Sequence, residues 1–481
     1  MSLQFITGNS GNGKTKYLFN RIVKEAKANP RDNYLVIVPE QFTMQTQRQL
    51  VDLSENKAIM NIDVLSFKRL AYRVFDELGI TNLTVLEETG KNLVLRKLAA
   101  QEADKLGVIG RNLNRIGYIS EVKSLLSELV QYNISPEELG RYIASGRLSD
   151  TLSDKLKDVL VLYEAFEKFM QDKYITAEEI LNVLSNVAEE SAILRNSVIA
   201  FDEFTGFTPI QNQLIKKLFV ISKKIYVTLT IDCREDIFKS RGMQELFDMP
   251  KRTVKSLTEM AAFYGIEVEE PIILDKNYRL AENEELSFME QQLFRKRRCS
   301  FKKVPKHIHI DCLRDPKQEL TKIARRINEL VRNENLRYRD IAIVTGDVNI
   351  YAGYVREIFD KYNIPYFIDA TQEILFHPFI EFIRSIPDIA AQNFSADAVF
   401  RFLRCGFSEL LDSEIDVLEN YVLACGVRGK SAWDKKWVRL PKHKAGYDLE
   451  LLNQSREYIM ELLKPVYQVF SDKKSTVKDY V

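Results

Sequence analysis

GNSGNGKT, from Gly8 to Thr15, constrains the fold of this chain more than any other segment. Its spacing is that of G-x-x-x-x-G-K-[ST], in which the backbone curls tightly and aims successive N–H groups at one anion. Gly8, Gly11 and Gly13 leave space for phosphate oxygens where a side chain would block them. Lys14 is placed to reach the β- and γ-phosphates of a nucleoside triphosphate, and Thr15 to offer its hydroxyl to Mg2+. The helix that opens here turns its positive end toward the same anion. An apolar run from Leu3 to Ile6 leads in, a helical stretch leads out to Pro30, and a second apolar run covers Tyr34 to Val38. This is a β-loop-α-β unit of ordinary size, and it predicts an α/β nucleotide-binding fold.

The rest of the composition narrows the alternatives. A length of 481 residues allows about three domains. With 45% hydrophobic and 28% charged residues the chain reads as soluble and globular. The net charge of +1 means that any nucleic-acid contact must come from local patches. No apolar run is long enough to span a bilayer, so no membrane association and a cytoplasmic location are expected. Cys233, Cys299, Cys312, Cys405 and Cys425 form no C-x-x-C pair, which suits reduced thiols. His307 and His309 would share one face of a strand, and two ligands do not make a metal site.

Periodicity then divides the chain. Residues 85–195 change to amphipathic helices, with helical spacing in Val94/Leu95/Leu98, Leu125/Leu126/Leu129 and Leu160/Tyr163/Phe166/Phe169. Strands resume at Val198–Phe201 and Ile225–Ile231, as expected for one α/β domain interrupted by a helical insertion. The basic run RKRRCSFKKVPK, 295–306, reads equally as a solvated linker or a phosphate-contacting segment. A second α/β unit is expected beyond it, with strands at 307–313, 341–345 and 366–368 and helices at 317–332 and 351–362. From about Pro378 the pattern is helical. Residues 473–481 show no helix stop, so the chain reads as part of a longer polypeptide.

A phosphate loop needs carboxylates at the end of a neighbouring strand, and SVIAFDEF supplies Asp202 for Mg2+ and Glu203 to activate water. DEF, then IDCREDIFKSRG (231–242), then NYR (277–279) follow the order of motifs II, III and IV of superfamily-one DNA helicases. Arg279 is similar to the arginine that approaches the γ-phosphate in those motors. Glu235 stands where they carry Gln, placing an anion near a phosphate. Their glutamine motif and late motifs have no counterpart in this chain.

A closer resemblance covers nearly the whole length. VPEQFTMQTQ (38–47), LSFKRLAYRV (65–74), DEFTGFTPIQ (202–211), NYRLAENEELSFMEQQLF (277–294), RYRDIAIVTGD (337–347) and LENYVLACGVRGKSAW (418–433) occur in order. Together they resemble the N-terminal half of the AddB (RexB-like) subunit of the bacterial AddAB helicase–nuclease. The resemblance implies two RecA-like P-loop domains of superfamily-one type with helical insertions. The first domain would be 1–80 with 196–280 and the second 281–385; the insertions would be 81–195 and 386–481. It further implies ATP and Mg2+ as cofactors and an AddA-like subunit as partner in a heterodimer. The substrates would be single-stranded and broken-end duplex DNA. The role would be double-strand-break repair with recognition of the recombination signal Chi. The family commonly carries Gly where Glu203 stands. Residues matching Gln41, Thr43, Phe67, Arg69, Tyr72 and Phe207 lie where the signal strand is read.

The residues themselves give part of that picture. Gln41 and Thr43 follow a strand and Pro39, at the edge where α/β sheets bind ligands. Phe67, Arg69 and Tyr72 interleave rings with a basic group, as stacking on unpaired bases requires, and Phe207 sits in a Gly-Phe-Thr-Pro turn. Phe67, Leu70 and Val74 also have core-helix spacing, so Phe67 reads both ways. The family's nuclease, with its E-x-K and four-cysteine 4Fe–4S iron–sulfur cluster, has no match here, and the cluster is expected only in a region beyond this chain. Asp448 and Glu450 have no E-x-K after them. Two other functions fit the same motifs: a self-sufficient translocating ATPase, and an architectural subunit with a vestigial loop.

Overall fold

The computed structural model describes residues 1–81, 84–108, 110, 116–145, 148–171, 174–295, 299–370, 374–441 and 447–471. Residues 296–298 of the basic run and the stretch 473–481 lie outside the described residues. The chain divides into two compact units, Met1–Ile310 and Asp311–Val481.

The first unit opens with β1 (Ser2–Gly8), α1 (Lys14–Ala28), β2 (Tyr34–Ile37), α2 (Thr43–Leu53), β3 (Ile62–Leu65) and α3 (Phe67–Leu78). There follow β4 (Val85–Leu86), α4 (Glu88–Gln101), α5 (Ile116–Gln131), α6 (Pro136–Ala144), α7 (Asp150–Met170), β5 (Ile175–Thr176) and α8 (Ile180–Val187). It closes with β6 (Val198–Phe201), α9 (Pro209–Ile221), β7 (Lys224–Thr230), α10 (Asp248–Phe263), β8 (Glu267–Val268), β9 (Ile272–Leu274) and α11 (Glu284–Gln292).

The main sheet is parallel in the order β3-β2-β6-β7-β1, with β8 and β9 both on the free edge of β1. Its strands are apolar on both faces, as parallel strands covered by helices must be. Leu3 and Phe5, Leu35 and Ile37, Ile199 and Phe201, and Ile225 and Val227 pack on one face with α3, α8, α9 and α10. Ile6, Tyr34, Val36, Val198, Ala200 and Tyr226 pack on the other with α1 and α2. Local signals set the helix ends. Ser66 caps α3 by accepting from the N–H of Arg69, and Gly79 closes it in the left-handed region. Thr208 and Gln211 form a capping box for α9, with Pro209 in its first turn.

Residues 85–170 build a core of their own from α4, α5, α6 and α7, in which Leu95, Leu98, Leu126, Tyr163 and Phe166 are buried. The helix-only reading of this insertion missed one element: β4 and β5 pair in parallel at its entry and exit. Helix α8 returns to the main sheet, where Ile180 and Leu184 join its core.

In the second unit, α12 (Pro316–Asn333) and α13 (Val348–Lys361) share a small core of Leu320, Ala324, Ile327, Ile358, Phe359 and Ile364. α14 (Pro378–Ala391), α15 (Ala396–Leu403), α16 (Asp412–Cys425), α17 (Lys430–Asp434) and α18 (Leu449–Ser471) surround Trp433 and Trp437 in another. The helices match the sequence pattern, but the expected strands at 307–313, 341–345 and 366–368 are not formed among the described residues. Ile310, Val344 and Phe367 in these segments are almost fully exposed. A parallel ladder exists only where a second strand lies alongside, and no such neighbour is described here. Among the described residues no helix is long and apolar enough to cross a membrane.

Candidate nucleotide-binding site

The loop between β1 and α1 is shaped for an anion. Gly13 precedes α1 with φ 78°, no side chain caps the helix, and its first turn holds no acid. Its first N–H groups are therefore free for a ligand. The Lys14 ammonium donates to the carbonyls of Gly8 at 3.1 Å and Asn9 at 3.0 Å. Burial pushes its pKa down, while the charges of Glu203 and Asp202 oppose that shift.

Distant segments pin the loop. Asn9 accepts from the N–H of Cys233 and donates to Glu290, both at 2.9 Å. Asn12 donates to the carbonyl of Leu274, and Asn277 to that of Ser10 at 2.9 Å. The N–H groups of Tyr278 and Arg279 donate to the carbonyl of Gly11 at 3.0 and 3.3 Å. Gly11 has φ 88°, and a Cβ there would lie 2.8 Å from both the Cβ of Arg279 and Oδ1 of Asn277. Gly11→Ala is thus expected to push the 277–279 segment off the loop. Backbone strain alone costs about 1–2 kcal/mol. A fluorescent ATP analogue should bind roughly 10-fold more weakly, with the circular dichroism spectrum unchanged.

The carboxylates arrive from β6. Asp202 is 1% exposed. Its Oδ1 accepts from Thr228 and lies 3.3 Å from the Thr15 hydroxyl, while Oδ2 is buried without a partner. Burial, and then the charge of Glu203, push its pKa up against the bond from Thr228 and the weaker, longer contact from Thr15. Glu203 has φ 64°, in the left-handed region, and its Oε1 lies 3.4 Å from the Thr15 hydroxyl. A buried carboxylate whose Oδ1 lies 3.3 Å from the Thr15 hydroxyl fits Mg2+, which takes a few protein oxygens and completes its shell with water and phosphate.

These groups line one cavity of about 670 Å3 with Thr228, Tyr278 and Arg279. Arg279 is an exposed residue of its lining, and the exposed ring of Tyr278 lies over Gly13, with the Lys276 ammonium 5.1 Å from the ring centre. A ring at the mouth of a phosphate site offers an apolar face to a nucleobase. Tyr278, Thr228 and the three asparagines were not singled out by sequence reasoning. Tyr278 had a signal, since it stands inside the NYR triplet. So did Thr228, a hydroxyl between the apolar Val227 and Leu229. Glu235 does not line the cavity: its carboxylate pairs with the buried Lys251 at 2.7 Å, which neutralises the anion expected near the phosphates.

The expected strand-contact residues fall into two groups. Gln41, Arg69 and Tyr72 are exposed, and Arg69 Nε lies 3.4 Å from Glu40, the neighbour of Gln41. Thr43 is buried and donates to the carbonyl of Glu40 at 3.0 Å, a bond that starts α2. Phe67 is 7% exposed and packs against Phe201, Phe204 and Phe207 with ring centres 5.6–6.3 Å apart. Its core-helix spacing decides its place: the ring has no face left for a base. Phe207 is half-buried at the rim of that cluster.

A family model described as ADDB, N-terminal, matches residues 5–290. The chain belongs to the AddB family. It is 39% identical over its full length to the B-type subunit of an ATP-dependent helicase/deoxyribonuclease from Lachnoclostridium phytofermentans, covering 42% of that protein. Proteins of the same name from Clostridium tetani and Caldanaerobacter subterraneus are each 33% identical, over 98% and 99% of the chain. The chain spans about two fifths of the length of these AddB relatives.

Proposed function

We propose that this AddB-family chain is the nucleotide- and single-strand-binding part of an ATP-dependent helicase–nuclease that resects double-strand breaks for homologous recombination and reads a Chi signal. The convergence of Lys14, Thr15, Asp202, Glu203 and Arg279 on one cavity carries the reading. Thr15 and Asp202 would hold Mg2+, which supplies charge neutralisation on the phosphates when bound. Lys14 binds the β- and γ-phosphates, Arg279 balances charge on the transferred group, and Glu203 orients and deprotonates the attacking water. The presence of Glu203 at this rim favours hydrolysis over a vestigial loop. The relatives are each named as one subunit of a helicase/deoxyribonuclease, which supports a partner subunit, and the family resemblance makes that partner AddA-like. The alternation of helix and extended segment across 307–368 supports a second RecA-like domain in the whole protein.

The strand is placed on the exposed edge formed by Gln41, Arg69 and Tyr72. Arg69→Ala is expected to weaken oligonucleotide binding roughly 10-fold in fluorescence anisotropy, since a stacked or charged contact of this kind contributes about 1–3 kcal/mol. Unchanged affinity would remove this edge from the strand path.

A further inference from the structure

The hydroxyl of Thr228 is out of place in its strand. Its neighbours on β7, Ile225, Tyr226, Val227 and Leu229, are buried and mainly apolar, and Thr228 is buried with them. A buried hydroxyl is unfavourable unless it is bonded, and valine would fill the same space in a strand at no such cost. The ladder pairs Phe201 with Val227, so one further residue brings Asp202 beside Thr228. There the Thr228 hydroxyl donates to Oδ1 of Asp202, leaving Oδ2 without a donor.

Thr15 does not perform this task. Its single proton faces Asp202 Oδ1 at 3.3 Å and Glu203 Oε1 at 3.4 Å, both beyond the usual O–H···O range. A carboxylate turns readily about its last torsion, so an unheld Asp202 would present neither oxygen in a fixed direction. We propose that Thr228 is a positioning residue whose hydroxyl holds Oδ1 of Asp202 and thereby fixes the orientation in which this carboxylate is offered to Mg2+ beside Thr15. The proposal rests on the reading of Asp202 as a Mg2+ ligand. Partners of this kind behind a metal ligand typically change metal affinity 10–100-fold when removed.

The test is Mg2+ titration of fluorescent ATP-analogue binding in wild type, Thr228→Val, Thr228→Ala and Thr228→Ser, each first checked by thermal melting. Both hydroxyl-free variants should need about 10–100 times more Mg2+ for half-saturation, with binding in EDTA unchanged and serine restoring the wild-type value. Two hydroxyl-free variants guard against one that does not fold. A folded hydroxyl-free variant with wild-type Mg2+ dependence would overturn the proposal, as would a serine variant as impaired as valine. Wild-type binding that ignores Mg2+ would overturn the underlying Mg-ATP reading as well, and so marks that failure separately.

Discussion

Replacing Glu203 with glycine is expected to stabilise the protein and to abolish most of its ATP turnover. Glu203 holds φ 64°, a conformation that costs an L-residue about 1–2 kcal/mol. Glycine removes that strain, and part of the gain is offset by the greater freedom of glycine in the unfolded chain. A net gain of about 0.5–1 kcal/mol is expected in urea melts. The same backbone geometry is one that glycine adopts without strain. The catalytic effect runs the other way, because a positioned base contributes roughly 10²–10⁴-fold to a rate. Glu203→Gln separates the two effects: it keeps the strain, so its stability should match wild type while turnover falls as in the glycine variant. Equal hydrolysis by wild type and Glu203→Gly would take Glu203 out of the chemistry.

The second large effect is expected at Asp232, two residues after the end of β7. Arg234 donates to it at 2.6 and 2.9 Å, and Arg295 Nε at 2.9 Å. Burial pushes its carboxyl up, but the bonds from Arg234 and Arg295 outweigh burial and hold it well below the usual carboxylate range. Arg234 is half exposed, so solvent screens part of its interaction with the buried carboxylate. Arg295 is only 12% exposed and also lies over the ring of Phe247 at 4.8 Å. Asp232→Asn leaves that guanidinium only the longer contact to Glu290 at 3.9 Å, and breaking a buried pair costs about 3 kcal/mol. A Tm lower by roughly 5–10 °C is expected in calorimetry. The pH dependence has a definite sign. A depressed carboxyl contributes stability that is complete above its unfolded pKa, near 3.9, and is lost as pH falls through the folded value. The stability difference between wild type and Asp232→Asn should therefore hold at neutral pH and shrink below about pH 4. A difference that persists unchanged into acid would mean that the charge is not what Asp232 supplies.

Much of the site was legible because it is local. Gly8 to Thr15 fixes its chemistry within a few residues, and Asp202 and Glu203 announce themselves at the end of an apolar strand. What was hidden depends on distant partners. Asn9 and Asn12 read as filler between glycines, yet they bond residues more than 200 positions away. Thr228 acquires meaning only from the register that lays β7 beside β6. Glu235 looked like an intruding anion because Lys251, its partner, is not marked by any spacing. Phe67 carried two periodic signals at once, and packing against Phe201, Phe204 and Phe207 selected one of them. The extended segments at 307–313, 341–345 and 366–368 show the converse limit: apolar alternation marks a segment suited to a strand, but a ladder needs a neighbour.

The central claim is that the cavity around Lys14 turns over ATP in concert with a bound strand. It is tested most directly by steady-state ATP hydrolysis of the purified chain, with and without single-stranded DNA, beside Lys14→Ala. Turnover that rises with the strand and vanishes in Lys14→Ala is the predicted result. Absence of turnover, with nucleotide affinity identical in wild type and Lys14→Ala, would contradict it and leave an architectural subunit with a vestigial loop.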